Sequence, residues 1–261
     1  NKGDLTLSSG LKGNASLTTF KDARTELLAA GSDYSGETTV ATGGALSAQG
    51  ENALSANSAH TIQGDLLLGG ELQTVKSLNL EAGTISQGSL KTTEGVVARG
   101  GSVYSDLVGS QGLEVLSGTV KLFGANTYSG ATTITEGTLK VTGTLGDSTA
   151  VNVSAGATYD VEQTDTIGSI AGAGSIEIAG AKTLSAGGLN TDTEVSGVIS
   201  GGGGFSKRGT GTTTLSGGNT YSGATSIGEG TLKVTGTLSD STAVVISGKA
   251  TYEVDQTDTI G

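Results

Sequence analysis

The sequence predicts an all-β fold, a parallel β-helix wound in coils of about 20 residues. Three observations carry that expectation. Short stretches alternate apolar and polar side chains and are punctuated by glycine. Equivalent apolar positions recur at a steady interval of about 20 residues. Glycine supplies 46 of the 261 residues, while proline is absent.

The alternation is plain in Thr138-Leu139-Lys140-Val141-Thr142, in Thr158-Tyr159-Asp160-Val161 and in Ser175-Ile176-Glu177-Ile178. A period of two marks strands with one face buried. Leu139 and Tyr159, Val141 and Val161, Val151 and Ile170, Tyr159 and Ile178, and Ile178 and Val198 each stand about 20 residues apart. A hairpin meander also has short strands, but it does not make inward residues recur over successive turns. A solenoid requires it, since each coil sets like residues on like. The 261 residues make roughly 13 such coils. Glycine suits corners that need positive φ or tight bends. Proline cannot donate to a ladder with strands on both sides, so its absence fits as well.

Composition alone leaves disorder open, because apolar content is 34% and aromatics are 3%. The internal repeat decides for a thin-cored stack. "NTYSGATTITEGTLKV" (Asn126–Val141) returns as "NTYSGATSIGEGTLKV" (Asn219–Val234), and across 126–168 and 219–261 the two copies agree at 34 of 43 positions. A weaker copy, "DYSGETTV", runs from Asp33 to Val40. Tyr34, Tyr128 and Tyr221 are equivalent in the three copies, with Leu28, Leu122 and Leu215 six places before them and Val40, Ile134 and Ile227 six after. "FKDARTELLAA" (Phe20–Ala30) has helix-forming composition, but the repeat register assigns it to strand, with Leu28 equivalent to Leu215. The second clear copy stops in mid-repeat, so the chain is expected to be a fragment of a longer protein, a single β-helix segment over 1–261 with repeat copies near 20–60, 112–168 and 202–261.

Net charge is −11 with the acidic residues dispersed, which removes nucleic acid as a partner, since phosphate binding needs a concentrated basic face. There is no cysteine and hence no disulfide framework. No stretch is long and apolar enough for a membrane-spanning helix.

"GGGFSKRGTGTTTLSGGNTYSGATSIGEGTLKV" (Gly202–Val234) resembles the autotransporter-associated β-strand repeat of type V secreted passenger domains in Gram-negative bacteria. The matching positions are Lys207, Gly209, Leu215, Gly217, Asn219, Tyr221, Gly223, Thr225, Ile227, Gly230, Leu232 and Val234. Gly112–Val141 is the second match, through Asn126, Tyr128, Gly130, Leu139 and Val141, with Glu114 where the later copy has its lysine. The resemblance implies a right-handed helix, displayed at the cell surface after export through the outer membrane. It implies adhesion to a host surface or glycan, or homotypic aggregation and biofilm, and contact with the membrane only through a barrel domain absent from this chain. Alternatives are a stalk for an enzymatic domain elsewhere and a glycan-binding helix, the latter disfavoured because Phe20, Phe123 and Phe205 are scattered.

No catalytic, cofactor or metal site is expected. "GDSTA" (Gly146–Ala150) contains a protease-like Gly-Asp-Ser, but it becomes "SDSTA" in the later copy and reads as a turn. His60, the one histidine, reads as a surface or corner residue. Gly201–Gly204 with Lys207 and Arg208 lacks phosphate-loop spacing and reads as a coil corner. "DVEQTDT" (Asp160–Thr166) and "EVDQTDT" (Glu253–Thr259) carry carboxylates suited to calcium, yet read as a solvated acidic face. Thr-x-Thr elements fail to recur on every coil, so hydroxyl ladders explain them better than an ice-binding plane.

Overall fold

The computed structural model describes residues 4–239 and 242–255. The far end of the second clear repeat copy, residues 256–261, and the pair 240–241 lie outside them, and with them part of the Glu253–Thr259 acidic stretch. Every regular element is a strand of two to four residues, and the pairing is parallel throughout the described residues. The protein is a parallel β-solenoid of about 13 turns of roughly 19 residues. It divides into two compact units, Asn1–Gly130 and Ala131–Gly261.

In the first unit one face stacks Leu5–Leu7, Arg24–Leu27, Ala45–Ala48, Asp65–Leu67, Thr84–Ser86, Gly101–Val103 and Thr119–Leu122. A second stacks Leu17–Thr19, Thr38–Val40, Ala59–Ile62, Ser77–Leu80, Val96–Ala98 and Leu113–Val115. The third is interrupted: Lys12–Gly13 pairs with Asp33–Tyr34, and Leu72–Val75 with Ser89–Thr92 and Asp106–Val108, but residues 50–58 between those groups form no strand. The second unit likewise has three faces, represented in one turn by Ala150–Val153, Thr158–Val161 and Asp165–Ile167.

Period-two alternation sets the core. In Thr138–Val141 the pattern turns Leu139 and Val141 inward, at 0% and 1% exposure. Parallel register then places Leu139 beside Tyr159 and Val141 beside Val161, as their sequence spacing requires. Val151 stands beside Ile170 in the same way. Each inward aliphatic contributes roughly 1.5–3 kcal/mol by leaving water, so stability accumulates from coil to coil rather than from one bulky core.

Two register expectations need correction. Tyr159 pairs with Ile176, not Ile178, and Ile176 pairs with Ile199 while Val198 is 39% exposed. Corners differ in length, so the turn from Tyr159 to Ile176 is shorter than the average coil and the next, from Ile176 to Ile199, is longer. Leu28 is also exposed, and Leu27 is the buried residue, because Thr25 and Leu27 take the inward phase of Arg24–Leu27. The corner at 29–32 absorbs the extra residue before Tyr34.

Identical repeat segments occupy different faces of the second unit. Thr138–Val141 stacks in the sheet with Thr158–Val161, Ser175–Ile178 and Ile199–Ser200, whereas Thr231–Val234 stacks with Thr212–Leu215 and Thr251–Val254. The spacing from Thr138 to Thr231 is not a whole number of coils, so within the second unit the later segment falls on another face.

Candidate functional site

The repeat motif builds a corner from the inside. Asn219 is buried, and its Oδ1 accepts the backbone N–H of Ile199 at 3.0 Å, one coil earlier. Its Nδ2 donates to the carbonyls of Gly217 at 3.0 Å and Thr237 at 3.1 Å. Asn126 repeats the arrangement with the N–H of Leu107 (3.1 Å) and the carbonyl of Gly124 (3.0 Å). An amide is needed because the bend leaves both a donor and an acceptor of the main chain to satisfy.

Two residues on, Tyr128 and Tyr221 fill the interior at 3% and 0% exposure. The Tyr221 hydroxyl bonds the Thr225 hydroxyl four residues later, and Tyr34 meets Thr38 in the same way at 2.7 Å. Burial pushes the Tyr221 phenol up to about 12. Between tyrosine and threonine sits the motif glycine. A Cβ on Gly130 would stand 2.4 Å from the backbone of Gln111 and Gly112, and one on Gly223 2.4 Å from Gly203. Thr242 of the "SDSTA" stretch turns inward and donates to the Tyr221 carbonyl at 2.8 Å, while the "GDSTA" stretch forms a turn closed by Thr149 N–H to Gly146 O at 2.8 Å. Leu232 and Val234 are fully buried, like Leu139 and Val141. Asn126, Tyr128, Gly130, Leu139, Val141, Asn219, Tyr221, Gly223, Leu232 and Val234 therefore hold coil to coil; none of their side chains is presented to solvent.

Three inward polar residues escape a reading based on hydrophobic pattern. His60 is 1% exposed on Ala59–Ile62, not at a surface or corner as its isolation in the sequence indicates; it takes the inward phase two residues before Ile62. Lys207 is 0% exposed on Gly204–Lys207, and its Nζ donates to the carbonyls of Arg208 (2.6 Å), Gly209 (2.6 Å) and Glu229 (3.3 Å). The motif lysine is thus a three-carbonyl plug, its pKa lowered by desolvation. Asp165 takes the place that asparagine holds in the motif corners: Oδ2 accepts the N–H of Leu145 and Oδ1 that of Thr166, both at 2.9 Å. Alternation alone marks all three, since each shares a phase with Ile62, Phe205 or Ile167.

Burial, reinforced by the charge of Asp147, raises the Asp165 carboxyl to about 6 against the pull of its two N–H donors. The folded state holds this proton more tightly than the unfolded one, so ionised Asp165 opposes folding above pH 6, and the penalty fades as pH falls from 6 to 3.8. Asp165→Asn removes the ionising group but keeps only one of the two N–H acceptors, so its stability relative to wild type is expected to shift in its favour by about 1–3 kcal/mol from pH 4 to pH 7.5, read by urea denaturation at the two pH values.

Lys207 and Asp165 apart, the Lys, Arg, Asp and Glu side chains among the described residues lie toward the outside. On one face of the second unit Lys140, Asp160, Glu177 and Ser200 stand in register. Lys140 bridges Asp160 at 2.7 Å and also Glu162, and these bonds raise its pKa. The carboxylates of Asp160 and Glu162 thus serve a cation of the chain itself. Another face aligns Glu194, Thr214, Lys233 and Glu253, with Lys233 2.8 Å from Asp255. In the first unit Thr18, Thr39, Thr61 and Asn79 form an outward row. Among the described residues no group of three or more His, Cys, Asp or Glu is placed to hold a metal ion.

Short parallel strands in stacked coils, with corners locked by Asn-x-Tyr-x-Gly-x-Thr, make a repeat β-solenoid. Residues 25–48, 117–141 and 205–234 match the family model of the passenger-associated-transport-repeat. These three matches support an autotransporter passenger built from such repeats. It is 30% identical over 246 residues to the adhesin BmaC autotransporter of Brucella suis biovar 1 (strain 1330), an alignment covering 86% of this chain and 7% of that protein. The chain therefore spans a small fraction of the relative's length. No solved structure matches it significantly. Autotransporter passengers that carry this repeat are secreted, surface-exposed proteins.

Proposed function

We propose that this segment is a non-catalytic, adhesive part of an autotransporter passenger. It is exported across the outer membrane of a Gram-negative bacterium and engages another surface or a second copy of itself. The carrying observation is the division of labour in the fold: the repeat residues are consumed in locking corners, which leaves in-register outward rows such as Lys140, Asp160, Glu177 and Ser200 as contact surface. Many weak polar contacts along such rows add by multivalency. The Brucella relative is named an adhesin, which supports the same reading. Displayed on a non-adherent bacterium, the segment is expected to cause clumping or attachment to host cells. A displayed, folded segment that produces neither overturns the proposal.

A glycan ligand is favoured by one observation. Tyr104, 53% exposed, and Phe123, both of the first unit, stack with ring centroids 4.3 Å apart and planes 8° from parallel. The other phenylalanines do not join them: Phe205 is buried and Phe20 is exposed elsewhere. If this pair binds sugar, Tyr104→Ala with Phe123→Ala abolishes attachment to glycan-bearing cells and leaves self-clumping intact.

A further inference from the structure

One turn of the first unit combines a buried titratable group with a break in the ladder. His60 faces inward between Thr38 and Leu78, its partners in register. Its Nδ1 donates to the Ser58 carbonyl at 2.9 Å, and its Nε2 is buried without a partner. The stretch before it, residues 50–58, is where the third face has no strand. There side chains do much of the work of a ladder. Leu54 N–H is received by Gln73 Oε1 (3.1 Å) and Tyr34 N–H by Ser55 Oγ (3.2 Å), while Ser55 Oγ donates to the Tyr34 carbonyl (2.7 Å). Ser58 Oγ donates to the Gly36 carbonyl (2.7 Å) and lies 3.2 Å from Thr38 Oγ1, which in turn meets the Tyr34 hydroxyl.

No charged side chain among the described residues answers an imidazolium here. Glu37, Lys76 and Glu81, at the ends of the neighbouring strands, are engaged with Thr61, Glu94 and Arg99. The titratable member of the buried network is the Tyr34 phenol, itself raised by burial. Desolvation is accordingly the leading influence on His60, partly offset by the Ser58 carbonyl.

We propose that the segment 50–62 is an acid-opened latch: His60 takes up a proton only by leaving the interior, and the side-chain-stitched wall at 50–58 is the part that gives way. Buried His60 is held down to about 4, against 6.5 when open, so the closed form binds fewer protons than the open one. Closure is then fully favoured above pH 6.5 and is lost as pH falls toward 4. From pH 7.5 to pH 5 the opening equilibrium rises roughly 30-fold.

Hydrogen exchange on the whole chain, corrected for intrinsic rates, tests the latch. Amides of residues 50–62, Leu54 and Ser58 among them, and of the paired Thr38–Val40 and Ser77–Leu80 are expected to open about 30-fold more at pH 5 than at pH 7.5. His60→Gln removes that increase. The chain has one histidine, so its imidazole proton resonance can be followed without a variant. In the folded protein it should stay in its neutral position until near pH 4. A folded-state titration midpoint near 6.5, an unchanged opening at pH 5, or the same increase in His60→Gln overturns the proposal.

Discussion

Leu139→Asp should abolish cooperative folding of the coils around it. Leu139 is fully buried and stacks in register on Tyr159. The substitution removes the burial of a large aliphatic and places a carboxylate in the interior against Tyr159. The first loss costs about 2–5 kcal/mol and the second adds several more, or forces the carboxyl to stay protonated. The sum rivals the whole stability of an ordinary domain, about 5–15 kcal/mol. In a stack with nearest-neighbour coupling the damage spreads along adjoining coils. Lys140→Asp, one residue away, provides the contrast. Alternation alone makes it nearly silent, but Lys140 bridges Asp160 and Glu162, so the new carboxylate would face Asp160 directly. A cost of about 1 kcal/mol is expected. Urea denaturation of the two variants should differ several-fold in lost stability, and equal losses would contradict the inward and outward assignment.

Gly223→Ala is expected to have the next largest effect, though it adds a single methyl group. That carbon would sit 2.4 Å from the backbone of Gly203, far inside van der Waals contact, and backbone cannot rotate aside as a side chain can. Relief requires the corner to lift off the preceding coil, which breaks the Ser222 N–H to Gly201 O and Gly223 N–H to Gly203 O bonds of 3.0 and 3.1 Å. Loss of several kcal/mol follows, read as a lowered urea midpoint and as early exchange of Thr225–Ile227. Gly228→Ala is the control. Its added carbon would meet Lys207 O at 3.7 Å, an ordinary contact, and the earlier repeat copy already has Thr135 there. It should be neutral or slightly stabilising, by less than about 1 kcal/mol.

The coil is legible in the sequence because burial in a strand has period two and parallel stacking repeats it once per turn. Where both signals are strong, as at Leu139, Val141, Tyr159 and Val161, register follows from spacing alone. It fails where corner lengths change. Counting one average coil onward from Tyr159 reaches Ile178, but the intervening corner is shorter, so Ile176 arrives first. Leu28 fails for a related reason, an added residue in the corner before Tyr34. The corner asparagines and glycines are visible as a motif, but their purpose depends on the coil beneath, which a linear sequence does not place. His60, Lys207 and Asp165 are hidden because polar residues are expected outside, whereas here each finds main-chain partners within. Rotation of the repeat onto a second face is implicit in a repeat length that the coil does not divide evenly, and is settled by the pairing of Thr231–Val234 with Thr251–Val254.

Because the chain is free of cysteine, paired cysteines can test the winding itself. Thr133 and Asn152 are register partners on adjacent coils, and Ala171 follows Asn152 one coil further on. Adjacent parallel strands lie about 4.8 Å apart, within reach of a disulfide, whereas two coils separate residues by roughly 10 Å, beyond its limit of about 7 Å. Under mild oxidation Thr133→Cys with Asn152→Cys should cross-link within the chain, and Thr133→Cys with Ala171→Cys should not. Failure of the first pair, or equal cross-linking of both, would contradict a fold in which each turn is laid in register on the one before it.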